Sequence, residues 1–153
     1  MKVFNIVIPK NNPLTNYEIW KYAQKLGIPY FRTVCMLNTL PAALESNECG
    51  IVNLNKSGEK GSHWVAYWKR GDVRIYFDSY GQITPLEIQK YLKTAEELRT
   101  NKNIIQHTTD IVQPINSSIC GHLCLYVLKA LSEGWSYEKI LIVLREKKST
   151  YTH

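Results

Sequence analysis

From Cys120 onward, the positions Cys120, Leu123, Cys124, Val127, Leu128 and Leu131 recur at the three- and four-residue spacing of a buried helical face. No other stretch of the chain is so apolar over so many turns, and the remaining segments must be arranged to cover it. A polar loop, Gln113-Pro114-Ile115-Asn116-Ser117-Ser118, leads into it. Ser117 or Ser118 is the expected N-cap, which places Cys120 in the first helical turn. A thiol there faces unpaired backbone N–H groups and the positive end of the helix dipole, both of which favour the thiolate. A cysteine on an apolar helix is more often a small core residue than a nucleophile. A chemical role for Cys120 therefore depends on what the rest of the chain can bring to it.

The 153 residues, 44% of them hydrophobic, suit a single domain over 1–153 with a sizeable core. The net charge of +6 would suit non-specific contact with DNA, but no five consecutive residues are basic, so the charge does not require it. Lys2 to Ile8 is an apolar run ended by Pro9, too short for a signal peptide, and no stretch approaches a membrane span. The expectation is a soluble, intracellular protein without a membrane partner. Cys35, Cys49, Cys120 and Cys124 are too few for a disulfide scaffold and are expected as reduced thiols. His122 lies between two of them, but adjacent helical positions point in different directions and no second pair has ligand spacing. No metal and no cofactor is expected.

In chain order, Val3 to Ile8 reads as a short strand or buried lead-in. Residues 15–26 read as a helix, with Thr15 and Glu18 as a capping box, Ile19, Tyr22, Ala23 and Leu26 as the stripe, and Gly27 as the stop. Asn38 to Pro41 reads as a loop, Cys49 to Leu54 as a strand, and Lys56 to Gly61 as a flexible polar turn. A short helix is expected with Thr84 as N-cap, Pro85 first and Glu87 closing the box. Residues 93–103 read as an exposed connection and Ile104 to Val112 as a strand. Gly134 is expected to stop the central helix, and Ser136 to cap a last one running to about Lys147, with the residues from Lys148 frayed.

The second informative element is a hairpin. Trp64, Ala66 and Trp68 alternate with His63, Val65 and Tyr67, and Val73, Ile75 and Phe77 alternate with Arg74, Tyr76 and Asp78. With the turn centred on Arg70-Gly71, Trp64 pairs with Phe77, Ala66 with Ile75 and Trp68 with Val73, and His63 stands opposite Asp78. Directly opposed residues have Cβ atoms about 5 Å apart, within reach of an imidazole–carboxylate hydrogen bond. An ordinary ion pair at the open end of a hairpin would have the same sequence pattern.

A thiol at a helix start, an imidazole on a strand and a carboxylate beside it form the nucleophile, base and orienting group of cysteine hydrolases. In this arrangement His63 takes the proton of Cys120 and returns it to the leaving amine, while Asp78 fixes the imidazole tautomer. The Cys120 backbone N–H and the side-chain amide of Gln113 can donate to an oxyanion, and Gly121 would leave space beside the thiol. Trp64 is read as a core aromatic that could also shield the base. Cys124 lies a turn deeper, where burial makes a thiol inert. Cys35 and Cys49 are read as core or surface thiols, and His107 and His122 as structural.

At Gly61-Ser62-His63-Trp64-Val65-Ala66, Tyr76-Phe77-Asp78-Ser79-Tyr80-Gly81, and Gln113 seven residues before Cys120 in Asn116-Ser117-Ser118-Ile119-Cys120-Gly121-His122, the sequence resembles the adenovirus-type cysteine proteases (adenain). The versions carried by Maverick/Polinton transposons and virophages are the ones it most resembles. Phe31-Arg32, Asn38 to Pro41 and Asn47 to Leu54 extend the likeness over most of residues 15–132. The resemblance implies His63 as general base, Asp78 as third member, Gln113 as oxyanion donor and Cys120 as nucleophile. The implied fold is α+β, a papain-like cysteine protease core in the circularly permuted order shared with ubiquitin-like-protein proteases. In it a mixed sheet packs on a central helix carrying the nucleophile. The implied activity is cleavage, often after glycine, of capsid or other virion precursors by a monomer in the host cytoplasm or nucleus, with packaging in the virion left open.

Two departures bear on the transfer. The adenovirus enzyme has Glu where this chain has Asp78, and either carboxylate can orient an imidazole. No cysteine lies between Asp78 and Gln113, so an activating peptide held there by a disulfide is not expected, while stimulation by DNA stays open. An isopeptidase removing ubiquitin or ubiquitin-like modifiers would use the same four residues. A non-catalytic binding module is the third reading and predicts an unreactive Cys120.

Overall fold

The computed structural model describes residues 1–55, 63–114 and 117–148. The polar turn expected at Lys56 to Gly61, Ser62, the loop residues Ile115 and Asn116, and the residues after Lys148 lie outside the described set.

The N-terminal lead-in is a small antiparallel ribbon, β1 (Lys2–Val3) with β2 (Ile6–Val7). It is followed by α1 (Asn16–Leu26), in which Thr15 and Glu18 form the expected capping box and Gly27 ends the helix at φ 64°. The main sheet has the order β3 (Phe31–Met36), β4 (Asn47–Asn53), β5 (Trp64–Arg70), β6 (Val73–Phe77), β7 (Ile105–Gln106). Its outer pairs are parallel and its inner pairs antiparallel, so it is a mixed sheet. The remaining elements are α2 (Leu86–Leu92), α3 (Ala95–Arg99), α4 (Cys120–Ser132) and α5 (Tyr137–Lys147).

Both sheet faces are covered. On one, Cys49, Ile51, Trp64, Ala66, Trp68, Ile75 and Phe77 share a core with α1, α4 and α5; on the other, Val52, Val65, Tyr67 and Tyr76 pack with Ile88, Leu92 and Ile105. Helix α4 contacts β1, β4, β5, α1 and α5, and ten of its 13 residues are buried. That enclosure explains why its apolar pattern extends beyond a single stripe.

Several boundaries differ from expectation. The hairpin turn is Gly71-Asp72, not Arg70-Gly71, so Arg70 pairs with Val73, Trp68 with Ile75 and Ala66 with Phe77. Gly71 takes φ 56°, the conformation that a two-residue hairpin loop requires at its first position. The register is two residues off the expected one, and a two-residue shift leaves every side chain on its expected face. Helix α2 starts at Leu86 after Pro85, one residue later than expected, and Thr84 does not cap it. Residues 93–103 contain a helix, α3, whose Thr94/Glu97 capping box repeats that of α1; it buries no residue, so no apolar stripe marked it. The strand expected over Ile104 to Val112 is only Ile105–Gln106. Beyond it the chain leaves the sheet to brace the loop after β6: Val112 N–H donates to Ser79 O at 2.8 Å. Gly81, at φ 70°, approaches Thr109 so closely that a Cβ would lie 2.5 Å from its carbonyl oxygen.

Candidate active site

The site forms where β5 begins, β6 ends and α4 starts. Neither expected serine caps α4: its N-cap is Ile119, without a side-chain hydrogen bond. Ser117 Oγ instead donates to Pro114 O at 2.7 Å and Ser118 Oγ to Lys10 O at 3.5 Å. The first-turn N–H groups beside Cys120 are therefore not taken up by a capping side chain.

Cys120 is the first residue of α4 and is 3% exposed. Its sulfur accepts a hydrogen bond from the Trp64 backbone N–H at 3.5 Å, and the carbonyl of the same Trp64 accepts one from Cys124 Sγ at 3.5 Å. One residue of β5 thus holds two turns of α4, and the His63 ring precedes it directly. The Trp64 indole donates to Leu14 O at 3.0 Å within the core. Gly121 lets these parts come close, since a Cβ there would meet Leu14 Cδ1 at 3.3 Å and Trp64 Cδ1 at 3.4 Å.

His63 and Asp78 are in contact even though the ladder does not set them opposite one another. The observed register, continued, brings Tyr80 opposite His63 and leaves Asp78 diagonal to it. A carboxylate only accepts, so His63 Nε2–H donates to Asp78 Oδ1, at 2.8 Å. The same oxygen accepts from the Tyr80 backbone N–H, also at 2.8 Å, which fixes the carboxylate. Asp78 is 1% exposed, and its other oxygen, Oδ2, has no partner among the described residues. The Tyr80 ring covers the imidazole at 5.0 Å between centroids. His63 also interacts with the Cys120 side chain. Burial disfavours the imidazolium, but the Asp78 hydrogen bond and the Cys120 contact outweigh it and push the pKa of His63 up to about 9.

Gln113 is 1% exposed and lies in a bend, not at a strand end. Its Nε2 donates to Ser117 O at 2.9 Å and its Oε1 accepts from Ser79 Oγ at 2.5 Å. The amide is thereby tied to the loop three residues before Cys120. Sequence reasoning gave Ser79 and Tyr80 no role, although both stand in the segment Tyr76 to Gly81 that carries the resemblance.

The other cysteines are disfavoured as thiolates. Burial raises Cys124 well above the usual thiol range, pushes Cys49 up to about 12 and raises Cys35. All four cysteines are free thiols. His122 Nε2 donates to Pro9 O at 2.6 Å. Among the described residues no helix is long and apolar enough to cross a membrane.

No protein-family model matches the sequence, and no curated protein does. Among solved structures, the chain is similar to a crystal structure of the ASFV pS273R protease, with a TM-score of 0.59 and 19% identity over 92% of this chain and 67% of that one. It is also similar to the selenomethionine form of that protease, with a TM-score of 0.55 and 16% identity over 92% and 68%. The chain, whose described residues form a mixed five-stranded sheet and five helices, therefore shares the fold of that protease.

Proposed function

We propose that this protein is a cysteine peptidase whose reaction is carried by Cys120, His63, Asp78 and Gln113. The observation that supports it most directly is the placement of His63: bonded to a buried carboxylate through Nε2 and in contact with the sulfur at the start of α4. With Nε2 occupied, Nδ1 is the ring nitrogen left for the thiol. Transfer of the thiol proton gives a thiolate–imidazolium pair that the Asp78 charge favours.

The thiolate attacks the carbonyl carbon of the scissile bond, and the carbonyl electrons move to oxygen. The Cys120 backbone N–H and the Gln113 amide donate to that oxyanion. Its collapse expels the amine, which takes the proton from His63 and leaves a thioester on Cys120. A water molecule, giving its proton to the now neutral His63, hydrolyses the thioester and restores the thiol.

The chain order of imidazole, acid, amide and thiol corresponds to the papain-like core in permuted form. The substrates proposed are capsid or other virion precursor proteins of a virus or transposon, processed where virions assemble. A fold shared with a viral protease agrees with this reading.

The deciding experiment is alkylation of the native protein with limiting iodoacetamide, with the modified residue located by mass spectrometry, for wild type and His63→Ala. Fast labelling confined to Cys120 and slowed at least about tenfold by loss of His63 is expected for an activated pair. Equal, slow labelling of every accessible thiol, indifferent to His63, would overturn the reading and favour a binding role.

A further inference from the structure

The two ends of the buried Gln113 amide are nearly the same in shape, and its neighbours determine which is which. The Ser117 carbonyl can only accept, so the end 2.9 Å away is the NH2 group. The carbonyl end then faces Ser79 Oγ at 2.5 Å, and the hydroxyl must be the donor. Ser79 is 0% exposed, and its own carbonyl is fixed by Val112 N–H.

We infer that Ser79 is a positioning residue: its hydroxyl locks the Gln113 carboxamide in the one orientation that leaves the second Nε2 proton free for the oxyanion. The inference rests on the peptidase reading for its consequence but on the hydrogen-bond pattern for its geometry. An unlocked amide would leave Oε1 buried without a donor, and in the flipped state would turn a lone pair toward the oxyanion. The short turn after β6 then serves the site with three consecutive side chains. Asp78 holds the base, Ser79 holds the oxyanion donor, and Tyr80 covers the imidazole. Asp78 and Gln113 are thus set by one piece of backbone, braced from outside by Gly81 against Thr109.

The test uses the full chain with p-nitrophenyl acetate as acyl donor and iodoacetamide as a probe that forms no oxyanion. Ser79→Ala is expected to lower kcat for the ester about 10- to 100-fold, less than or equal to the loss typical of deleting an oxyanion donor. KM and the rate of Cys120 alkylation should stay within about twofold, because the thiol–imidazole pair is untouched. In a Gln113→Ala background, Ser79→Ala should cost nothing further, since its partner is already gone. Ser79→Cys, which keeps a weak donor, should fall between wild type and Ser79→Ala and serves if the alanine variant does not fold. The side-chain NH2 resonances of Gln113, assigned by their loss in Gln113→Ala, should shift in the Ser79 variants, and this readout needs no turnover.

Full ester activity in Ser79→Ala, losses that multiply in the double variant, or unmoved Gln113 amide resonances would each remove the positioning role. A wild type that neither hydrolyses the ester nor alkylates quickly would instead count against the peptidase reading, with the NMR comparison still deciding the role of Ser79.

Discussion

Two buried carboxylates, Glu48 and Asp78, are each 1% exposed, and the structure treats them in opposite ways. Glu48 lies on the α2 side of the sheet with both oxygens saturated. Oε1 accepts from Arg32 Nη1 and from Glu45 N–H, each at 2.7 Å; Oε2 accepts from Tyr67 OH at 2.5 Å and Tyr91 OH at 2.7 Å. Burial works to raise its pKa, but those donors hold it below the usual carboxylate range. Asp78 uses one oxygen and leaves Oδ2 unpartnered among the described residues. The partner of Glu48 is a guanidinium that never gives up its proton, whereas the partner of Asp78 is an imidazole that can. A saturated carboxylate paired with a permanent cation ties strands together. A half-satisfied one paired with a titratable cation retains capacity for proton transfer, at a cost in stability.

The widest separation between the two should come from truncating each. Glu48→Ala leaves Arg32 without its buried counter-charge and two tyrosine hydroxyls without an acceptor, and should lower unfolding stability by about 3–5 kcal/mol in urea titration. Iodoacetamide labelling of Cys120 in the folded fraction should be unchanged. Asp78→Ala should do the reverse, lowering turnover by roughly 10²–10⁴-fold while costing on the order of 1–2 kcal/mol of stability. If Glu48→Ala slows Cys120 labelling as much as Asp78→Ala does, the division into structural and chemical carboxylates fails.

A pH series sharpens the contrast. The folded-state pKa of His63, about 9, lies above its ordinary 6.5, so the protonated ring adds stability that is complete below about 6.5 and lost as pH rises through about 9. Turnover should fall over the same alkaline range as the imidazolium loses its proton. Asp78→Asn keeps an acceptor for His63 and Tyr80 but removes the charge, and should move that alkaline limb to lower pH. Glu48→Gln should leave it in place. The smallest effect is expected from Tyr91→Phe, which deletes one of four donors to Glu48 and should cost about 1–2 kcal/mol without changing the pH profile. Thermal unfolding and pH–rate curves check both.

Parts of this were legible because the signals are local. Thr15 with Glu18 and Gly27 fixed both ends of α1, and Ser136 fixed the start of α5, because caps act within one turn. The same signal at Thr94 and Glu97 was there for α3, and only the missing apolar stripe hid it. Alternation placed Trp64, Ala66 and Trp68 on the correct face but could not choose between registers two residues apart, because both satisfy a period of two. The phrase Asp78-Ser79-Tyr80 could be read for its acid and not for its neighbours. The partner of Ser79 is 34 residues away, and the second acceptor site on Glu48 is filled from 43 residues away.

By itself, then, the sequence determined where helices start, which strand faces are apolar, and that one cysteine would open the central helix. Those properties follow from interactions within a few residues, or from a periodicity that holds whatever the chain packs against. Only the tertiary structure decided that His63 meets Asp78 on the diagonal, that Ile119 leaves α4 uncapped by a side chain, that Ser79 orients Gln113, and that Glu48 rather than Asp78 is saturated. Each depends on which donors and acceptors arrive from distant segments, and hydrogen bonds are selective over tenths of an ångström, a precision that hydrophobic patterning does not encode.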